Sequence, residues 1–154
     1  MKNKSVIVFR WLGILPLALL AYVLIKILND LGTSIFFSTE FVGGVVYSNG
    51  FSGHYILGPI YTFQRELIAT ASLFYVGLFV APKFKKYVYF SMAGLYVLFL
   101  FVGAIGIGMM FGSNLWGGTE NIMKSLIETS AQIIAIVIIG FGLFRGEIFE
   151  NNSE

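Results

Sequence analysis

The chain has no cysteine, one histidine and three prolines in 154 residues. The lack of cysteine and the scarcity of histidine limit the kinds of catalytic and metal sites that the chain can form. Without cysteine there is no disulfide, no thiolate nucleophile and no Cys-ligated metal, which excludes a disulfide-linked four-helix quinone reductase. The single histidine, His54, is better read as an interfacial or hydrogen-bonding residue than as a metal ligand or pH switch. We therefore expect no cofactor, no metal site and no enzyme.

Charged residues are also scarce, at 12% of the chain against 57% hydrophobic residues, and the mean hydropathy is +0.84. These values lie far outside the range of soluble domains. The composition predicts an integral membrane protein in contact with the lipid bilayer. The net charge of +2 does not imply nucleic acid, because the cations cluster beside apolar stretches, where they set orientation.

Four apolar stretches are each long enough to cross a bilayer, and with their connections they fill the chain. We predict helices at about 6–28, 60–81, 87–110 and 122–143, in a single transmembrane domain covering residues 1–154. The connection that starts at Pro82 is so short that its two helices must be antiparallel neighbours. The expected fold class is an all-α integral membrane protein, an antiparallel four-transmembrane-helix bundle.

Lysine and arginine fall on one side of this predicted bundle. The cations of the N-terminus, the second connection and the C-terminus are Lys2, Lys4, Arg10, Lys83, Lys85, Lys86 and Arg145. The first and third connections, residues 29–57 and 111–121, contain neither residue type. By the positive-inside rule both termini are expected in the cytoplasm.

The first connection is long and apolar, so we expect an extracytoplasmic segment that lies on the membrane surface or caps the bundle. Thr33 to Val42 could form an interfacial helix ended by Gly43 and Gly44, and this is the interpretation we favour. The alternative is a strand at 45–47 followed by a tight turn at 48–51. Long connections are often functional, so we expect this one to bind a partner, a lipid or the bundle mouth.

Several ionisable and amide side chains are expected in the outer half of the spans: Lys26, Gln64, Arg65, Glu66, Lys124, Glu128 and Gln132. A charge in hydrocarbon costs about 2.5 to 3.5 kcal/mol, so such residues pair with one another or face a wet cavity. Three interpretations stay open. The cations snorkel outward and the carboxylates only neutralise them, the set lines an outward-facing vestibule with Glu128 as its best proton or cation carrier, or one carboxylate is catalytic.

Small residues at a four-residue spacing form a second pattern. They are Gly103, Ala104, Gly108 and Gly112 in the third helix and Ala131 and Ala135 in the fourth. Such stripes let helix backbones approach closely without help from water. They serve either packing within one subunit or an interface with another.

Arg10 and Trp11 open the first helix, Pro16 lies within it, Ala81-Pro82-x-x-Lys85-Lys86 follows the second, and the third is glycine-rich. In these features the chain resembles small bacterial four-helix inner-membrane proteins. The resemblance implies a bacterial inner membrane and a scaffold or accessory role. We expect a non-enzymatic subunit that self-associates as a homo-oligomer or docks to a membrane-protein partner. The alternative is a small channel or transporter with a polar outward-facing vestibule.

Overall fold

The computed structural model describes residues 4–37, 40–42, 45–47, 58–111 and 119–146, with side chains at 6–33, 58–102 and 124–146. The helices are α1 (Lys4–Phe37), α2 (Gly58–Val80), α3 (Lys85–Phe111) and α4 (Thr119–Arg145), and a hairpin joins β1 (Glu40–Val42) to β2 (Val45–Tyr47). The prediction of four helices, each long and apolar enough to span a membrane, is confirmed. The candidate spans are Val6–Thr33, Gly58–Val80, Lys85–Val102 and Lys124–Arg145.

The first helix is longer than predicted, because it continues beyond Leu28 to Phe37. Asn29 donates its side-chain amide to the carbonyl of Ile25 at 2.9 Å, and the hydroxyl of Thr33 donates to the carbonyl of Asn29 at 2.8 Å. Both bonds turn polar side chains back onto the helix itself. The polar residues after Leu28 therefore do not end the helix.

The favoured interfacial helix over Thr33 to Val42 is wrong. Its first half continues α1, and Glu40–Val42 instead forms a strand paired antiparallel with Val45–Tyr47. Two glycines separate the paired Val42 and Val45, and Gly-Gly is typical of a two-residue hairpin connection, which explains the strand pairing. The predicted turn at 48–51 and His54 lie outside the described residues.

The central helix is α2, which packs most extensively against α1 and α4 and less against α3. Its Phe74 is fully buried, and the ring lies 5.8 Å from that of Tyr89 and 6.0 Å from that of Tyr96. Around it gathers an apolar core contributed by all four helices: Ile14, Ala18, Leu73, Leu78, Ala81, Val88, Tyr89, Met92, Ile139 and Leu143. Burial of these side chains stabilises the half of the molecule near the α2–α3 connection.

Close helix contact in this half depends on Gly140. A Cβ at that position would overlap the hydroxyl of Tyr89. That hydroxyl donates a hydrogen bond of 2.8 Å to the carbonyl of Ile136, one turn earlier in α4. The glycine thus makes room for a buried tyrosine that ties α3 to α4.

The α2–α3 connection is four residues long, from Ala81 to Phe84. Pro82 disfavours a helical conformation at Ala81, so α2 ends there. Phe84 has a φ of 57°, in the left-handed region that reverses the chain. The connection brings the start of α3 back beside the end of α2.

Candidate functional site

A buried carboxylate, Glu66 on α2, is the centre of the polar side chains in the described structure. Lys26 Nζ lies 2.6 Å from Glu66 Oε1, while the hydroxyl of Tyr22 and the amide of Gln132 donate to Oε2 at 3.1 Å and 3.0 Å. Glu66 is 1% exposed. Three donors from two neighbouring helices therefore satisfy one carboxylate and hold α1 and α4 against α2.

A second ion pair joins α1 to α2, about one turn of α1 beyond Lys26. Arg65 Nε lies 3.1 Å from Asp30 Oδ1, and the hydroxyl of Tyr61 donates to the same oxygen at 2.6 Å. The signs alternate, since α1 supplies Lys26 and Asp30 while α2 supplies Glu66 and Arg65. The two pairs fix the register of the helices, because sliding one helix by a turn would separate both.

The α4 residues form a series of increasing burial. Lys124 and Glu128 make an ion pair with 4.0 Å between Nζ and Oε1, and their side chains are 35% and 31% exposed. Gln132, one turn further along α4, is 8% exposed and reaches Glu66. The sequence favoured Glu128 as the main carboxylate, but the structure gives Glu66 the more buried position and the larger number of donors.

Two further hydroxyls lie close to Glu66. Thr70, one turn along α2, is fully buried, and its Oγ1 has no hydrogen-bond partner among the described residues. Tyr96 on α3 lies within electrostatic range of Tyr22 and Glu66. This brings α3 to the edge of the polar group.

The residues predicted from the sequence fall into four sets. Lys26, Glu66 and Gln132 come together, and Lys124 pairs with Glu128. Arg65 pairs with Asp30 instead, and the side chain of Gln64 is exposed. Of the small-residue stripes, Ala131 and Ala135 are fully buried. Gly103, Ala104 and Gly108 lie in α3, but their surroundings are outside the described side chains, as is Gly112.

Sequence reasoning missed three members of the polar group: Tyr22, Asp30 and Tyr61. A signal for them was present, because Tyr22, Lys26 and Asp30 repeat every four residues on α1, as Tyr61 and Arg65 do on α2. Residues four apart lie on one helix face. Two polar faces in otherwise apolar helices would have been expected to meet.

We call this region the paired end, defined by residues 22–30, 61–70 and 124–132. It contains three cations and three carboxylates, and the chemistry it supports is mutual neutralisation. The carboxylate of Glu66 accepts from all three of its neighbouring donors. No group of three or more His, Cys, Asp or Glu residues that could hold a metal ion occurs in the part of the chain that the structure describes.

The opposite region, which we call the basic end, comprises residues 10, 79–90 and 141–146. Arg10 donates from Nε to the carbonyl of Val80 at 3.0 Å and from Nη2 to that of Phe79 at 3.2 Å. It therefore caps the last turn of α2, where cations are favoured by the helix dipole.

Aromatic rings contact two other cations of this end. Lys86 Nζ lies 5.4 Å from the ring centre of Phe144, and the Arg145 guanidinium lies 4.3 Å from that of Phe141. The Phe144 ring also contacts Phe90, at 5.7 Å between centres. Cation–π and ring contacts thus bring the end of α4 beside the start of α3.

Comparison of the chain with protein-family models, with curated proteins and with solved structures found no match.

Proposed function

We propose that this chain is an integral protein of a bacterial inner membrane, with four antiparallel spans and both termini in the cytoplasm. We further propose that it acts as a non-enzymatic subunit that associates with a second copy of itself through α3. Four helices of spanning length and composition support the first part. The antiparallel arrangement is supported by two contacts: Arg10 near the start of α1 meets the end of α2, and Lys26 further along α1 meets Glu66 nearer the start of α2.

The orientation follows from the basic end, which gathers the cations that the positive-inside rule assigns to the cytoplasm. The natural chain has no cysteine, so single cysteines report on orientation without background. We expect Asn49→Cys, but not Lys83→Cys, to react with a membrane-impermeant thiol reagent applied to the outside of intact cells. The reverse pattern would contradict the orientation.

The proposal of self-association rests on which side chains of α3 are buried and which are exposed. Its buried side chains are Val88, Tyr89 and Met92, all within its first eight residues, and none of its described side chains beyond Met92 is buried. Phe101, which is 65% exposed, lies nine residues after Met92. At about 100° per residue this is roughly 180° from the buried face.

By spacing alone, two small residues of α3 share the helix face of Phe101. Counting about 100° per residue from Phe101, helical periodicity places Ala104 and Gly108 within roughly 60° of it, with Val97 on the same face one turn earlier. Val97 is exposed. Small residues at this spacing favour contact with another helix, because they allow two backbones to approach closely.

Disulfide crosslinking tests this face with a matched pair of variants. Phe101→Cys and Phe99→Cys replace the same residue type at nearly the same depth, but two residues correspond to roughly 200° around a helix. Phe99 is 74% exposed, so both sulfurs are accessible. After mild oxidation of native membranes, we expect a crosslinked dimer from Phe101→Cys and little from Phe99→Cys.

Equal crosslinking of the two variants, or none from either, would overturn self-association through this face. Crosslinking of Phe101→Cys to a protein of a different mass would replace the second copy with another membrane partner. Native mass spectrometry of the wild-type protein in mild detergent gives an independent readout, and a monomer in both experiments would end the proposal.

A second candidate function, a small channel or transporter, is favoured by one observation. Burial increases in steps from the partly exposed Lys124 and Glu128, through Gln132, to the carboxylate of Glu66. Such a series could lead protons or cations inward from an outer vestibule. Proton or cation flux into liposomes that stops in both Glu66→Gln and Glu128→Gln would support this function, and lack of flux in the wild-type protein would exclude it.

A further inference from the structure

The basic end has more positive charge than the chain itself can neutralise. The sequence assigns seven cations to this side of the molecule: Lys2, Lys4, Arg10, Lys83, Lys85, Lys86 and Arg145. The carboxylates that follow α4 are three, Glu147, Glu150 and Glu154. Seven cations and three carboxylates give this side of the molecule a net charge of +4.

The structure brings several of these cations together instead of spreading them. Arg10 is held on the carbonyls of Val80 and Phe79, which leaves its remaining N–H groups directed elsewhere. Lys85 at the start of α3 lies within electrostatic range of Arg10, and the two like charges repel. Lys86 follows directly, placed over the ring of Phe144. Like charges held close by the fold are stabilised when an anion binds between them.

Exposed aromatic rings surround these cations. Phe84 and Tyr87 are both largely exposed, and their rings contact each other edge to face at 6.2 Å between centres. Trp11, next to Arg10, is exposed as well. Tyrosine and tryptophan are enriched at the level of lipid headgroups, where one part of the ring is in hydrocarbon and the polar part reaches water. The cations of the basic end thus lie where the phosphates of a lipid leaflet would be.

We infer that the basic end binds the phosphate of an anionic phospholipid, with Arg10, Lys85 and Lys86 as its principal contacts. A phosphodiester offers oxygen acceptors that both guanidinium and ammonium groups bind well. The headgroup neutralises the excess charge, and its acyl chains lie along the exposed apolar surface of α1 and α3. This inference uses the membrane insertion in the proposed function but not self-association through α3.

The test is lipid binding by the full-length protein, purified in a mild neutral detergent and observed by native mass spectrometry. Phosphatidylglycerol and phosphatidylcholine with identical acyl chains would be titrated separately. We expect the wild-type protein to retain phosphatidylglycerol at least tenfold more strongly. Each cation near a lipid surface is worth about fivefold in affinity, so the variant with Lys83→Gln, Lys85→Gln and Lys86→Gln should lose all or most of the expected tenfold preference.

Lys124→Gln is the matched control, because it removes a cation from the paired end, and it should bind phosphatidylglycerol as the wild-type protein does. Equal retention of the two lipids by the wild-type protein would overturn the proposal, as would a Lys124→Gln effect as large as that of the triple variant. A further arm adds glycerol 3-phosphate or inorganic phosphate in millimolar excess. Complete displacement of the lipid by either would identify a soluble phosphate site and contradict the lipid assignment.

Membrane insertion is checked separately, by extracting membranes at alkaline pH. Wild-type protein that remains in the membrane but does not distinguish the two headgroups would disprove the lipid site alone. Protein released by alkaline extraction would disprove the proposed function together with it. The triple variant should also remain in the membrane, since none of the three lysines belongs to the apolar core of the fold.

Discussion

At the paired end each cation lies within 4.0 Å of a carboxylate, whereas at the basic end five cations lie among described side chains that include no carboxylate. The two ends are separated along α2 by the fourteen residue steps from Glu66 to Val80, or about 20 Å. Charge at the paired end is directed inward and joins helices. At the basic end Arg10 bonds to backbone carbonyls and two other cations contact aromatic rings, while the helices there are joined by apolar packing. The comparison shows that one small fold can use charged residues both as internal connections and as surface contacts.

Loss of the carboxylate of Glu66 is expected to lower the free energy of unfolding more than any other change considered for the two ends. Glu66→Ala leaves Lys26 and two neutral donors without their acceptor, and removing one partner of a buried ion pair costs about 3 kcal/mol. We expect that decrease in the free energy of unfolding, measured by transfer from a mild detergent into a denaturing one. The double variant Lys26→Met with Glu66→Met should recover much of the loss, because no buried charge is then left alone.

Glu128→Ala is the control for this prediction. Its ion pair with Lys124 is longer and about one third exposed, and such pairs are worth less than about 1 kcal/mol. A cost for Glu128→Ala equal to that for Glu66→Ala would show that burial does not decide the strength of the pairs at this end.

The inner packing gives the next largest effect. Gly140→Ala places a methyl group against the hydroxyl of Tyr89, which must move and lose its bond to the carbonyl of Ile136. Overpacking of this kind costs about 1 to 3 kcal/mol. Gly94→Ala is the matched control, since nothing lies within 4 Å of the Cβ that it adds, and it should leave the unfolding free energy within about 0.5 kcal/mol. A neutral Gly140→Ala variant would contradict the close approach of α3 and α4.

The two ends differ in how much of their structure can be predicted from the sequence. The four apolar helices and the side of the cations could be predicted, because hydropathy and the positions of lysine and arginine depend on short segments alone. The partners of Glu66 could not be fixed in the same way. Its donors come from Tyr22 and Lys26 on α1 and Gln132 on α4, and which of several embedded polar groups it meets depends on how three helices are rotated.

The structure of the first connection could not be predicted for a different reason. Residues 29–37 have few charges and no proline, so their composition fits both an apolar surface segment and a continuing helix. The structure makes them helix because Asp30 has partners on α2 and because Asn29 and Thr33 bond back to their own backbone. The hairpin that follows depends on pairing between Glu40–Val42 and Val45–Tyr47, which neither strand predicts by itself.

The smallest expected effect concerns Arg10, and it separates the two ends by their response to salt. Arg10 donates to the last carbonyls of α2 while its side chain is exposed, so it stabilises the helix end by about 0.5 kcal/mol at low ionic strength. Arg10→Gln should lose that amount in neutral detergent at low salt, and the difference should shrink as sodium chloride is raised to 0.5 M, because exposed charges are screened. Arg10→Lys should keep part of the effect, since an ammonium group retains the charge but not the fork of donors that reaches two carbonyls. The loss in Glu66→Ala should change much less over the same range, because its partners are shielded from ions in solution. A salt-independent Arg10→Gln effect, or a Glu66→Ala effect that fades with salt, would mean that charge at the two ends is not divided into surface and interior as the contacts indicate.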